Sequence, residues 1–319
     1  MVCSIGFLKI DIMIEFADAG EFIKQFETVY SKKIVRIPYT TKEGTRKTIL
    51  MCQCGRTFIS LPYLSLGVME NKVTDRKSAV FMLFETEEGN IISTSKKQWE
   101  IRDTLAHSPY IYADKLFIWK NLSEKDSVMQ ILSSDIRRKI RKSEKDGIVI
   151  KTGTGKRLIR DFYKVYCQRM HEINVAPSSK KIVTNGVKAG VTTVFVAYKG
   201  KEITGGATLN KYNNDVYANG LLASFSKYNK HYVSYALHYA MMQFAKDQSA
   251  IYYSLGRSTR GSSVHNYKKH FKGEEIPLYW SYSNKKKNIR NNKLLYWMWS
   301  KLPFILTKRL GPVISKYVY

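Results

Sequence analysis

The stretch SLGRSTRGSSVHNYKKHFKGEEIPLYW, residues 254–280, starts on the end of an apolar run, AIYYSL (250–255), of the kind that forms a buried strand. A glycine, an arginine and a row of hydroxyls follow. After a small-residue turn, two lysines stand between aromatics in a segment that suits a helix at about 261–271. IPLYWSY (276–282) then has the aromatic and β-branched content of a strand. Strand, helix, strand is an α/β arrangement. Its chemistry, taken alone, leaves open a phosphate loop, a nucleic-acid patch or part of a transferase site.

The preceding residues supply the order of elements. A long helix is expected at about 228–247, with Tyr235, Leu237, Ala240, Met241 and Phe244 at helical spacing. Three β-rich runs come before it: VTTVFVAYK (191–199), EITGGATLNKY (202–212) and DVYANGLLA (215–223). YKGKEI (198–203) and KYNND (211–215) read as the hairpin turns between them. Further upstream lie a strand at 148–152, a helix at about 156–173 and a short helical segment after Pro177. Another helix is expected from Ser123 to Asp146, with Met129, Leu132, Ile136 and Ile140 as its buried stripe and Gly147 as its stop. Its other face carries Arg137, Arg138, Arg141, Lys142 and Lys145, either a solvated surface or a site for phosphate or a polyanion. The first part of the chain holds strand-like runs at IVRIP (34–38), TILMCQC (48–54), RTFISLPY (56–63) and KLFIWKNL (115–122).

Composition bounds the function. The chain has 319 residues, 44% hydrophobic and with only 7 prolines, so it has the material for a well-buried core. With 53 Lys and Arg against 26 Asp and Glu, the net charge is +27, which favours anionic partners: nucleic acid, an anionic membrane surface or phosphorylated substrates. The cysteines are Cys3, Cys52, Cys54 and Cys167; a single close pair makes no zinc site. His231, His238, His265 and His270 lack carboxylate or cysteine partners at metal spacing, so no metal is expected. TGTGKR (152–157) fails the spacing of a phosphate loop. The start, MVCSIGFLKIDIMIEF, carries Asp11 and Glu15 and no basic residue before its apolar run, which argues against a secretory signal. A cytoplasmic protein is expected, peripheral at the inner membrane if its tail touches lipid. That tail, 285–319, is basic and free of acidic residues, with LLYWMW (294–299) and PFIL (303–306) interleaved. It suits either a bilayer headgroup region or a terminal helix that packs Trp297 and Trp299 on the domain.

Strand, helix, helix, three antiparallel strands, helix, strand, helix, strand is the element order of the GNAT acyltransferase fold, whose splayed sheet opens a cleft for donor and acceptor. Residues 254–280 resemble the closing motif of FemAB-related proteins of that superfamily, approximately F-G-R-S-T, a spacer, then Y-x-F-K-x-x-W-G-A-E-x-x-P-L-x-W. SSDIRRKIRKSEKDGIVI (133–150), FYKVYCQRM (162–170), FISLPYLSLGV (58–68) and KLPFILTKRLGPVISKY (301–317) resemble further family segments in the same order. The resemblance implies a mixed α/β protein with tandem GNAT-like halves, 1–122 and 123–284, the second better preserved, followed by the basic amphipathic tail 285–319. It implies acyl or aminoacyl transfer onto an amine or a hydroxyl. Characterised Fem enzymes add amino acids from aminoacyl-tRNA to peptidoglycan precursors, and relatives sit in surface-glycan pathways. The expected acceptor is a phosphorylated or lipid-linked saccharide or a peptide.

Tyr267 and Lys268 align with the Phe-Lys pair of the motif, and the resemblance gives that lysine the negative charge near the reacting carbonyl to stabilise. Arg257, Ser258 and Thr259, expected just after the strand, would orient donor or acceptor phosphates, unless Arg257 closes an internal ion pair. Arg137, Arg138 and Arg141 would bind a phosphorylated acceptor or a tRNA backbone. Two departures stand out. Phe271-Lys272-Gly273-Glu274 replaces W-G-A-E, and ASFSKYNKHYVSYAL (223–237) contains no glycine where GNAT acetyltransferases grip coenzyme A pyrophosphate with Q/R-x-x-G-x-G/A. The donor therefore stays open between an acyl-CoA such as acetyl-CoA and an aminoacyl-tRNA. The rival class is a non-catalytic protein on a GNAT fold that binds nucleic acid or anionic membrane.

Overall fold

A computed structural model describes residues 15–16, 19–40, 46–54, 56–61, 68–73, 76–81, 93–94, 98–103, 106, 108–123, 126–284 and 293–318. Its first part comprises β1 (Glu15–Phe16), α1 (Ala19–Tyr30), β2 (Ile34–Thr40), β3 (Arg46–Cys54), β4 (Thr57–Ile59), β5 (Val68–Val73), β6 (Arg76–Phe81), β7 (Ser93–Thr94), β8 (Trp99–Asp103) and β9 (Tyr110–Asn121). Then follow α2 (Val128–Ile131), α3 (Ser134–Lys145), β10 (Ile148–Gly153), α4 (Lys156–Glu172), α5 (Lys180–Lys188), β11 (Thr192–Lys199), β12 (Glu202–Lys211) and β13 (Val216–Ser224). A 3-10 helix (Ser226–His231) leads into α6 (Val233–Asp247), β14 (Tyr252–Thr259), α7 (Ser263–Lys269), β15 (Glu274–Tyr282), α8 (Lys293–Ser300) and α9 (Phe304–Val318).

The described strands form one mixed sheet in the order β1-β6-β5-β3-β4-β8-β15-β9-β14-β13-β12-β11-β10, with β2 and β7 off this path. Strands β10 to β13 are an antiparallel meander. β14 then pairs parallel to β13, but only over Val216–Ala218 against Tyr252–Ser254. On its other edge β14 pairs with β9 along its whole length, from Tyr252 against Asn121 to Thr259 against Lys115, so beyond Ser254 β9 is its one partner among the described strands. The sheet therefore splits into a V between the end of β13 and the end of β14. The expected boundary at residue 122 falls directly after β9, and β9 lies between β15 and β14, so one sheet runs through both halves.

Helices cover both faces of the meander. Ile136 and Ile140 of α3 and Leu237 and Met241 of α6 pack with Phe195, Ala207 and Leu209 on one side. Phe162, Val165 and Tyr166 of α4 pack with Val194 and Val196 on the other. The adjacent Gly205 and Gly206 of β12 allow this double approach. A Cβ at Gly205 would stand 2.7 Å from Val233 of α6, and one at Gly206 would stand 2.9 Å from Phe162 of α4. A third cluster joins the halves: Phe22 and Phe26 of α1 meet Leu50, Phe117, Val216 and Leu278.

Three expectations change. The helix expected from Ser123 to Asp146 is two helices, because two serines cap in succession. Ser127 forms a capping box with Gln130 at the start of α2, and Ser133 Oγ accepts from Ile136 N at the start of α3. The helix expected at 228–247 begins as a 3-10 turn and bends at Tyr232, whose φ is +52°. Arg257, Ser258 and Thr259 lie inside β14, not after it, because pairing with β9 prolongs the strand. The resemblance at 58–68 extends over residues 62–67, outside the described residues, as are the basic residues at 285–290.

The fully buried Phe162 ring joins α4 to the meander. Phe162→Ala should cost about 3–5 kcal/mol, read as a lower urea midpoint with an unchanged slope.

Candidate active site

At the V, β14 turns on a bulge between Ser254 and Gly256. Gly256 has φ +79°, a conformation that strains any residue with a Cβ, and its N–H donates to Ser254 Oγ at 3.2 Å. The bend presents the Gly256 and Arg257 carbonyls to α7. That helix is set by two contacts of His265. Gly261 N–H donates to His265 Nδ1 at 3.0 Å, so the ring proton sits on Nε2 and is donated to Glu275 at 3.0 Å. Ser262 caps the helix by accepting from His265 N.

So placed, Lys268 is only 6% exposed, whereas its neighbour Lys269 points to solvent. Lys268 Nζ donates to Gly256 O at 3.0 Å and to Arg257 O at 2.7 Å. Burial, and then the Arg257 charge, push its pKa down to about 7. His238 of α6, 1% exposed, is driven down to about 3 by burial and by Lys268, and bonds Tyr253 Oη at 2.7 Å. It is a neutral wall of the site. A neutral lysine amine spends both N–H groups on the two carbonyls and keeps a lone pair. An ammonium keeps one N–H instead.

Tyr267 stands against Tyr235, His238 and Phe271, with ring centroids 4.8, 5.8 and 5.7 Å away. Its hydroxyl is buried without a hydrogen-bond partner, and burial raises its pKa well above the ordinary tyrosine value, so it stays neutral. Asn219 Oδ1 on β13 and Ser258 Oγ on β14 are likewise buried without partners. Orphaned polar atoms on both diverging strands and on the helix beside them mark the V as a place where a polar ligand can bind.

The structure brings Lys268, Tyr267 and Ser258 to one face of the sheet, since Ser258 pairs with Leu116 of the α6-side core. It sends Arg257 and Thr259 to the other. Arg257 pairs with Phe117 of the α1-side cluster, and its guanidinium lies 5.6 Å from the Trp280 ring, which Arg102 also approaches, at 4.2 Å. Thr259 Oγ1 accepts from Lys115. On α3, Arg137 donates to the Gln130 and Leu132 carbonyls, Arg138 pairs with Asp135 at 2.8 Å, and Arg141 is exposed.

Lys139 of the same helix escaped the sequence reading and comes closest to the site. It pairs with Asp135 at 2.6 Å and lies 4.7 Å from the Tyr235 ring, which packs on Tyr267. Asn219 was also missed; its only signal is an amide inside a strand of apolar and small residues. Where a coenzyme A grip would place glycines, the left-handed residue is Tyr232, which carries a full side chain. Among the described residues no group of three His, Cys, Asp or Glu is placed to hold a metal.

Two outcomes follow for stability. A lysine whose folded pKa lies near 7 binds fewer protons in the native state than in the unfolded state between about pH 7 and 10. Native stability should therefore rise with pH across that window, by up to about 1.4 kcal/mol per unit, and Lys268→Met should remove the slope, as read by urea unfolding at pH 6.5 and 9. Tyr267→Phe removes an orphaned hydroxyl and should leave stability within about 1 kcal/mol of the wild type or raise it.

Residues 132–269 match the family model described as the acetyltransferase (GNAT) domain. No curated protein sequence matches the chain. Among solved structures, FemX aligns with a TM-score of 0.54 and 9% identity over 90% of this chain and 94% of its own. L-PGS from Bacillus licheniformis gives 0.53 and 10% over 93% and 98%. A C-terminal DUF2156 domain from Agrobacterium fabrum, named for a lysylphosphatidylglycerol synthetase, gives 0.52 and 12% over 84% and 88%. At these identities the structural likenesses speak for the fold alone, and the family model identifies residues 132–269 as a GNAT acetyltransferase domain within it.

Proposed function

We propose that the chain is an acyltransferase that moves an acyl or aminoacyl group directly onto an amine, or a hydroxyl, of a cell-envelope or surface-polysaccharide precursor. The observation that carries this reading is Lys268 Nζ, held by two carbonyls at the mouth of the V with its pKa near neutrality. In the neutral form it takes the proton of the attacking amine as the new C–N bond forms. The ammonium so produced turns its third N–H to the carbonyl oxygen as negative charge develops there. It then returns the proton to the departing oxygen or sulfur as the old C–O or C–S bond breaks. No protein nucleophile is needed. Tyr267, with its aromatic neighbours, positions the lysine.

The turn before α6 favours aminoacyl-tRNA over an acyl-CoA as donor. Pyrophosphate approaches backbone N–H groups best where no Cβ intervenes, and here Tyr232 stands at the bend. The acceptor in this reading is a phosphorylated or lipid-linked saccharide or a peptide. Arg257, Ser258 and Thr259 serve it or the donor from the strand, and Arg137, Arg138 and Arg141 offer charge to its phosphates or to a tRNA backbone. The names of the structural neighbours, an aminoacyl-lipid synthetase among them, agree with such acceptors.

The test is transfer of labelled aminoacyl groups from charged tRNA to envelope-precursor fractions, with acetyl-CoA titrated in parallel at high salt. Transfer should rise through about pH 7 as Lys268 loses its proton, and Lys268→Met should lower it about 10²- to 10⁴-fold while the protein stays folded. Full activity in that variant would falsify the role of Lys268. Polyanion binding without turnover, falling steeply and uniformly with salt, would favour the non-catalytic reading. Saturable acetyl-CoA binding would move the donor to coenzyme A.

A further inference from the structure

Helix α9 docks on the domain with its smallest residues. Thr307, Gly311 and Ser315, each four apart, are buried. Gly311 lies so close to Pro177 that a Cβ there would stand 2.3 Å from the proline ring, and Thr307 Oγ1 bonds His171 Nδ1 of α4 at 3.1 Å. At about 100° per residue, this stripe turns Leu306 and Val313 to the opposite face and Leu310 to one side. They are exposed, Val313 by 56%, as is Ile305 by 64% on the flank. In α8, Trp297 is 58% exposed, and Met298 beside it is exposed too. Of the fourteen large apolar side chains exposed among the described residues, eight fall within 296–314. A helix packed on a water-soluble core buries such residues and shows threonine, serine and glycine to solvent. α9 does the reverse.

We infer that α8 and α9 together form a docking surface for an anionic lipid bilayer. Charge selects this occupant. Lys301, Lys308 and Arg309 are exposed among the apolar side chains, and the sequence has no Asp or Glu after Glu275. Apolar residues flanked by cations match the boundary between acyl chains and anionic headgroups. A second copy of this face would set like charges against each other with no carboxylate to pair them. No helix among the described residues is long and apolar enough to cross a membrane, so α9 lies in the plane of the surface. Of the two fates read from the tail, packing on the domain holds in part for Trp299, which is half-buried, and not for Trp297. The inference stands apart from the transfer chemistry.

The experiment is co-sedimentation of the full chain with vesicles of phosphatidylcholine, alone or with about a third phosphatidylglycerol, alongside light scattering of the free protein. The chain should bind the anionic vesicles and not the zwitterionic ones. Lys308→Gln with Arg309→Gln should weaken that binding on the order of twentyfold, at about fivefold per cation near an anionic surface. Leu310→Ser with Val313→Ser should weaken it about tenfold or more, with unchanged circular dichroism and thermal midpoint, since both side chains already face outward. Absence of binding at low salt, or equal binding by all variants, would overturn the inference. So would self-association of the wild type that the Leu310, Val313 variant abolishes, which would assign the face to a second copy.

Discussion

Three residue pairs, Val216–Ala218 against Tyr252–Ser254, are the only described sheet pairing between the meander β10 to β13 and the rest. The short length of that seam governs what lies beyond it. With a longer parallel ladder, Asn219 and Gly256 would spend their backbone groups on each other and the V would close. Because β14 parts from β13 while it stays paired with β9, the Gly256 and Arg257 carbonyls are instead available to a lysine from α7. The seam is kept from opening further by packing. Val216 and Tyr217 at its start belong to different hydrophobic clusters, one on each face, so both layers grip the junction.

Burying Lys268 is costly, and the surrounding fold offsets the cost only in part. Two neutral carbonyls solvate the amine well and an ammonium less completely, while Arg257 adds like charge. The result is a base poised near neutrality instead of a fixed cation. Its described aromatic neighbours are neutral: burial holds His238 unprotonated and keeps the Tyr253 and Tyr267 hydroxyls protonated. Glu275 of β15 is occupied by His265, which fixes the helix that carries the lysine. A histidine–carboxylate hydrogen bond that fixes the helix and a buried lysine amine thus sit on neighbouring turns of one short element.

Much of this was readable from sequence because it depends on local pattern. The meander shows in its hairpin turns, α4 in the spacing of Phe162, Val165 and Tyr166, and the closing motif in the residues of 254–280 themselves. What escaped depends on which side of an element faces inward. Lys268 and Lys269 are identical neighbours, and only the phase of α7 on β14 buries the first and exposes the second. Arg257 and Ser258 read as one group, yet strand alternation sends them to opposite faces once the bulge at Gly256 has set the register. The break between α2 and α3 was hidden by an apolar stripe, Leu132, Ile136 and Ile140, that runs on through it. In α9 the docking residues are small, so nothing apolar marks the buried side.

The place of β15 also shapes how the chain is made. This strand, 274–282, inserts between β8 and β9, which end by residue 121. While a ribosome adds the intervening residues, for on the order of ten seconds at ordinary elongation rates, the first part of the chain has two strand edges awaiting their partner. Leu50, Phe117 and Trp119, whose cluster is completed by Leu278, remain partly uncovered through that interval. Until then the sheet lacks the strand that joins β8 to β9. Its last major strand-pairing step joins residues far apart in sequence and is correspondingly slow.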